Sequence, residues 1–233
     1  MDNNTVYEWI LQRSFTVSAR EESLHSSKPH LSPIVLPGDE IFDLCCGSGF
    51  LSFWFEGQGA KVIGIDFAPY MISLAKEEAY QWNSTVDFIE ADIFKQDFGQ
   101  HRFNLISCFD SISNFSLSDF AKLANKVARA LKPGGRFVVR YIDGSHKFFQ
   151  GNIAREGVYQ EAPERITYRF KEYLPKVGAS VNIIRNEARE EEYERKGYIF
   201  TVPVVHLVMG NLLKLEQHIV IDENQFIDIF IKN

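Results

Sequence analysis

The chain has 233 residues, 45% of them apolar and 24% charged, with a formal charge of −6 and three cysteines. That length and balance describe one folded α/β-sized unit with a substantial core and exclude a disordered chain. The acidic balance argues against a nucleic-acid groove, which needs a concentrated basic face, and no run of about eighteen apolar residues exists to span a membrane.

The first residues, "MDNNTVYEWILQRSF", lack the apolar centre of a secretion signal, so a cytoplasmic location is expected. Residues 5 to 26 read as an amphipathic helix, followed by an extended lead-in at Pro29, Pro33 and Pro37. "EIFDL" reads as a strand, "FLSFWFEGQG" as a helix stopped by glycine, and "KVIGID" as a second strand. "APYMISLAKEEAYQW" is a helix with Pro69 near its first turn; "VDFIE" and "FNLISCF" are strands. "SLSDFAKLANKVARALKPGG" is a helix opened by Ser116 with Asp119 three places on, and "RFVVRY" is a fifth strand. Such alternation predicts an α/β fold with a doubly wound, mostly parallel sheet.

After Tyr141 the rhythm changes. "RITYRFKEY", "SVNIIRNEAREEEY", "GYIFTVPVVHL" and "LLKLEQHIVI" all read as strands, with "MGN" turning between the last two. An antiparallel meander is therefore expected after the fifth strand. "ENQFIDIFIKN" reads as a closing helix capped by Asp222 with Gln225.

The chemistry is concentrated where the first strand ends. "DLCCGSG" follows an acid with Gly47 and Gly49, and a bare backbone there lets a ligand approach beyond the carboxyl ends of the strands. About twenty residues on, Asp66 ends the second strand, where a carboxylate can accept both hydrogen bonds of a ribose diol. The dinucleotide fingerprint requires a third glycine where this chain has Ser52. Asp43 would repel a pyrophosphate but attract a cationic amino group. The three cysteines offer no CxxC spacing, and Cys45 and Cys46 are expected to pack rather than react. No metal is expected.

From Glu40 to Tyr141 the chain resembles the class I S-adenosylmethionine-dependent methyltransferases, whose fold is Rossmann-like. "DLCCGSG" resembles that family's first motif, with Asp43, Cys45, Gly47 and Gly49 at the cofactor. The resemblance implies that Asp66 holds the ribose, Phe67 and Met71 flank the adenine, Asp92 meets its amine and Ile93 covers its ring. "FNLISCFDSISNF" resembles the fourth strand and active-site loop, with Phe109 beside the sulfonium, and "ALKPGGRFVV" resembles the approach to the fifth strand. Simpler roles stay open: Met71 and Phe67 as core, Asp43 and Asp92 as turn caps.

The resemblance implies S-adenosylmethionine as methyl donor and S-adenosylhomocysteine as product. The loop after the fourth strand is not the Asn/Asp-Pro-Pro-aromatic loop of nucleic-acid adenine enzymes, so a small-molecule acceptor, methylated on N or O, is expected. Its candidate contacts are Tyr7, Trp9, Asp110 and Tyr141, with His206 as a candidate base. The alternative is a non-catalytic regulatory or assembly subunit that binds the same cofactor; a nicotinamide-dependent oxidoreductase is a weaker rival. The expected organisation is a helical lid and lead-in (1–39), a cofactor-binding core (40–145), an antiparallel substrate lid (146–222) that could also serve as a dimer surface, and a C-terminal helix (223–233). The family's two further strands after its last helix have no counterpart in this reading, so either the chain is truncated or the meander covers the edge beside "RFVVRY".

Overall fold

β1 (Glu40–Leu44) is short and apolar because it runs through the middle of the main sheet. It pairs in parallel with β2 (Lys61–Asp66) on one side and with β4 (Phe103–Phe109) on the other. β3 (Asp87–Glu90) extends the sheet beyond β2, and β5 (Leu131–Ile142) extends it beyond β4, both in parallel. The chain thus winds outward one way through β2 and β3, then the other way through β4 and β5. That reversal opens a crevice at the carboxyl ends of the strands. The computed structural model describes residues 17–144, 156–160, 165–174, 176, 178–187 and 190–233. Tyr7 and Trp9 lie outside the described residues, as does the first part of the helix expected over 5 to 26.

Both faces of the sheet are covered, so strand residues of either parity are buried. One face carries α1 (Val17–Leu31), α2 (Phe50–Gly57) and α3 (Pro69–Trp82), whose Leu31, Phe55, Ile72 and Ala75 pack with Ile41, Leu105, Val138 and Ile229. The other carries α4 (Leu117–Ala130) and α5 (Val202–Gly210), whose Phe120, Leu123, Val205 and Met209 pack with Leu44, Ile106, Val139 and Phe230. The Ser116 cap forms as the spacing predicts, its Oγ accepting from the Asp119 backbone N–H at 3.1 Å.

A second, four-stranded antiparallel sheet follows β5. Its strands are β6 (Glu156–Gln160), β7 (Ile166–Leu174), β8 (Ala179–Asn186) and β9 (Glu191–Tyr198), paired in sequence order. This is the expected meander, but it is shorter than the expected lid. "SVNIIRNEAREEEY" is a hairpin rather than one strand, with Asn186 opposite Glu191.

The expectations for the last third need correction at three places. "TVPVVHLVMG", read as strand and turn, is the helix α5; Pro203 lacks the N–H a ladder needs but suits a first helical turn, and the Val202 N–H is held by Asp143 Oδ2 at 3.0 Å. "QFIDIFI", read as a helix, is the strand β11 (Gln225–Ile231), antiparallel to β5 and flanked outside by β10 (Lys214–Val220). Its Asp222 signal is real but caps a hairpin turn instead, Oδ1 accepting from the Asn224 and Gln225 N–H groups at 2.8 Å each. At the other end of the chain, Pro29 lies inside α1 rather than in an extended lead-in. The edge beside β5 is therefore covered by β11, with β10, a strand expected in the meander, outside it.

Candidate functional site: a cleft at the strand ends

Asp66 ends β2 almost fully buried, and two backbone N–H groups fix its carboxylate: Gly47 donates to Oδ2 and Ala68 to Oδ1, each at 2.9 Å. Burial pushes its pKa up, while the N–H groups of Ala68, Gly47 and Phe67 oppose the shift. A carboxylate has about four lone-pair sites, so these N–H groups do not exhaust it. Gly47 reaches this position with φ of 56°, a left-handed conformation in which a side chain is strained. Gly49 is required for a different reason: a Cβ there would meet the Phe88 ring at 2.3 Å. Between them, Ser48 Oγ is buried with no hydrogen-bond partner among the described residues. Buried hydroxyls are normally satisfied, so this one marks a place for a ligand or water.

A cavity of about 430 Å³ opens beside Asp66. Of the residues expected at the cofactor, Cys45, Asp66, Phe67, Asp92 and Ile93 line it together. Asp92 also caps its own turn, Oδ1 accepting from the Phe94 N–H at 2.9 Å, and its other oxygen lies 3.5 Å from Lys95 Nζ. Lys126, from α4, clamps this loop from behind by donating to the carbonyls of Ile93, Phe94 and Gln96.

Other expected residues stand apart from the cavity. Asp43 is buried and faces α2 and β4, accepting from Ser52 Oγ at 2.6 Å and Ser107 Oγ at 2.7 Å. Burial raises its pKa to about 6 against the lowering effect of both hydroxyls. Met71 is fully buried core, its Cε 3.4 Å from where a Gly47 Cβ would sit. Phe109 packs among the residues of the α2–α3 face. Asp110 has φ of 54° and lies 3.5 Å from Arg140 Nε. Tyr141 and His206 both bond Asp228, and His206 comes from α5 rather than from a meander strand. None of these six lines the cavity. The thiols are held protonated: Cys45 is pushed up by its hydrogen bond with Cys108 and by burial, Cys46 chiefly by burial.

The sequence reading missed several lining residues. Glu90 ends β3, and its place after an apolar run was a usable signal. Ser111, Asn114 and Phe115 come from the short turn of 3-10 helix (Ile112–Asn114) after β4, inside the loop already singled out. Arg195 and Lys196 come from β9, with Arg195 reaching Asn114 Oδ1 at 3.3 Å; no local pattern marks them.

Residues 41–135 match the family described as methyltransferase domain. A solved S-adenosylmethionine-dependent methyltransferase from Clostridium acetobutylicum superposes with a TM-score of 0.74, covering 98% of this chain and 97% of that one at 14% identity, a likeness of fold. Residues 41–135 form a class I S-adenosylmethionine-dependent methyltransferase domain. Among curated relatives of this domain, a demethylmenaquinone methyltransferase of Thermus thermophilus is 36% identical over 101 residues, 42% of this chain and 45% of the relative. A ubiquinone biosynthesis O-methyltransferase of Coxiella burnetii is 28% identical over 142 residues, 60% of this chain and 59% of the relative. The chain spans roughly half the length of these relatives. Among the described residues, no helix is long and apolar enough to cross a membrane.

Proposed function

We propose that the protein transfers a methyl group from S-adenosylmethionine to an N or O atom of a small-molecule acceptor. The observation that carries this reading is the cavity lined by Asp66, whose carboxylate is pre-set by backbone N–H groups at the end of β2. The donor set fits the cofactor: Asp66 for a ribose diol, Phe67 and Ile93 for the faces of an adenine, Asp92 for its amine. The Gly47–Gly49 turn, with the orphaned Ser48 Oγ, suits the amino-acid end. When bound, the sulfonium supplies an activated methyl whose leaving group needs no proton.

The protein's part is then to bring the acceptor in line and exclude water, which holding two reactants in register accomplishes without a strong catalytic residue. In this reading Ser111, Asn114 and Phe115 flank the acceptor, and Arg195 and Lys196 close over it from β9. The lining mixes the aromatic Phe67, Phe94 and Phe115 with polar groups such as Ser111 and Asn114, apolar surface to hold a small molecule and polar atoms to orient it. The names of the relatives in menaquinone and ubiquinone chemistry support a small-molecule acceptor. His206, outside the cavity lining and bonded to Asp228, is given no part in this reading.

The test is transfer of a labelled methyl from S-adenosylmethionine to a small-molecule extract and to a panel of phenols and amines, read by mass. Label on a small molecule, lost in the Asp66→Ala variant, is the expected result. Tight cofactor binding with no acceptor labelled would instead make the chain a binding subunit.

A further inference from the structure

On the β10–β11 side of the main sheet, a second group of polar residues is built around Asp228. Asp228 lies inside β11 with no exposed surface, a costly place for a carboxylate. His218 of β10 is its direct cross-strand partner, and its Nδ1 lies 2.6 Å from Oδ1. His206 descends from α5, its Nε2 3.0 Å from Oδ2. Tyr141 of β5 donates its hydroxyl to the same Oδ2 at 2.6 Å, with a phenol pKa pushed up by burial and by that bond. The imidazoles stand at 90° with centroids 5.3 Å apart, and Phe226 stacks on His218.

We propose that His206, His218 and Asp228 bind one divalent transition-metal ion of the zinc type, at a site none of whose members lines the cofactor cleft. Two neutral imidazole nitrogens and a carboxylate oxygen are a donor set that suits zinc. Nε2 of His206, Nδ1 of His218 and the carboxylate oxygens converge within 4.8 Å of one another. In a tetrahedral site with bonds of about 2.0 Å, neighbouring ligand atoms lie about 3.3 Å apart. The two histidines meet different oxygens of Asp228, at 3.0 Å and 2.6 Å, so reaching that spacing around one ion takes a turn of His218, whose side chain is about one-third exposed. To take the ion, each imidazole presents a lone pair at the nitrogen that now faces Asp228, its one N–H proton moving to the other ring nitrogen so that both ligands stay neutral. Tyr141 orients the carboxylate by its hydroxyl, the outer-shell support that such ligands usually have. The exposed side leaves a position for water. The ion would tie α5 to the hairpin of β10 and β11, so its role is to fix the edge of the sheet.

The experiment is calorimetric titration of tag-free, chelator-treated full-length protein with zinc chloride, alongside thermal unfolding with and without the ion. The expected result is one zinc per chain, a raised unfolding midpoint, and binding lost in both His206→Ala and His218→Ala but kept in His101→Ala. Tyr141→Phe should weaken binding by about 10- to 100-fold. His218 is partly exposed on an edge strand, so its variant keeps the test sound should His206→Ala fold poorly. Absence of stoichiometric zinc binding by the folded wild type, or binding unchanged in both histidine variants, would overturn the proposal and leave a proton-sharing network around Asp228. The outcome is independent of cofactor binding, which reads the other cleft.

Discussion

Asp43 folds at an electrostatic cost, because its carboxyl is removed from water and met only by Ser52 and Ser107 among its hydrogen-bond partners. Its pKa rises from 3.8 to about 6, so the folded state holds the proton more tightly than the unfolded one. Stability from this group is intact below pH 3.8 and is lost as pH rises toward 6; two pKa units correspond to about 3 kcal/mol. Urea unfolding of wild type and Asp43→Asn between pH 4 and pH 7 checks this. The wild type should fall relative to the variant as pH rises across that window. A parallel pH dependence in the two proteins would contradict it. Ser52→Ala should cost about 1–3 kcal/mol by leaving a buried carboxylate oxygen unpaired, measurable by the same unfolding. The sequence placed Asp43 at a ligand because it could see the acid before the glycines but not Ser107, 64 positions away, waiting opposite in β4.

At the scale of elements, the cleft depends on two backbone segments held in fixed shape. The turn at Gly47 donates to Asp66 from a left-handed backbone, so Gly47→Val should both strain the turn and misplace that N–H. Loss of S-adenosylmethionine affinity with the second sheet still folded, read by calorimetry and circular dichroism, is the expected result. The loop after β3 is held by Lys126, whose burial lowers its pKa and whose three carbonyl contacts fix Ile93 and Asp92. Lys126→Met should weaken the cofactor several-fold, visible in the same titration, with Asp92 and Ile93 unchanged in identity. The parallel half of the sheet was legible because short runs with apolar centres alternate there with capped or glycine-stopped helices. α5 and β11 were not. "PVVHLV" is β-branched yet becomes a helix because Asp143 and Pro203 start it and the core beneath needs Val205 and Met209. "QFIDIFI" becomes a strand because β5 offers it a ladder, an influence from more than eighty residues away.

Across the whole molecule, the two sheets divide the labour that the proposed transfer requires. The main sheet fixes the cofactor side of the cleft, and β9 brings Arg195 and Lys196 to its mouth. Arg195→Ala with Lys196→Ala should therefore change KM for the acceptor while leaving cofactor affinity within about twofold, since neither residue touches the positions assigned to the nucleoside. Equal losses for both ligands would place β9 at the cofactor instead. The cavity positions of Cys45, Asp66, Asp92 and Ile93 were legible because these residues sit at or just beyond strand ends fixed by local sequence. Arg195 and Lys196 were not, because they reach the site only through the way a separate sheet folds back. The proposed function rests above all on Asp66 holding the ribose of S-adenosylmethionine. The most direct measurement is calorimetric titration of wild type and Asp66→Ala with S-adenosylhomocysteine, with folding of the variant verified by its unfolding curve. One site per chain, weakened in the variant by about 1–3 kcal/mol, is the expected result. Undiminished affinity in a folded Asp66→Ala protein, or no binding by the wild type, would contradict it.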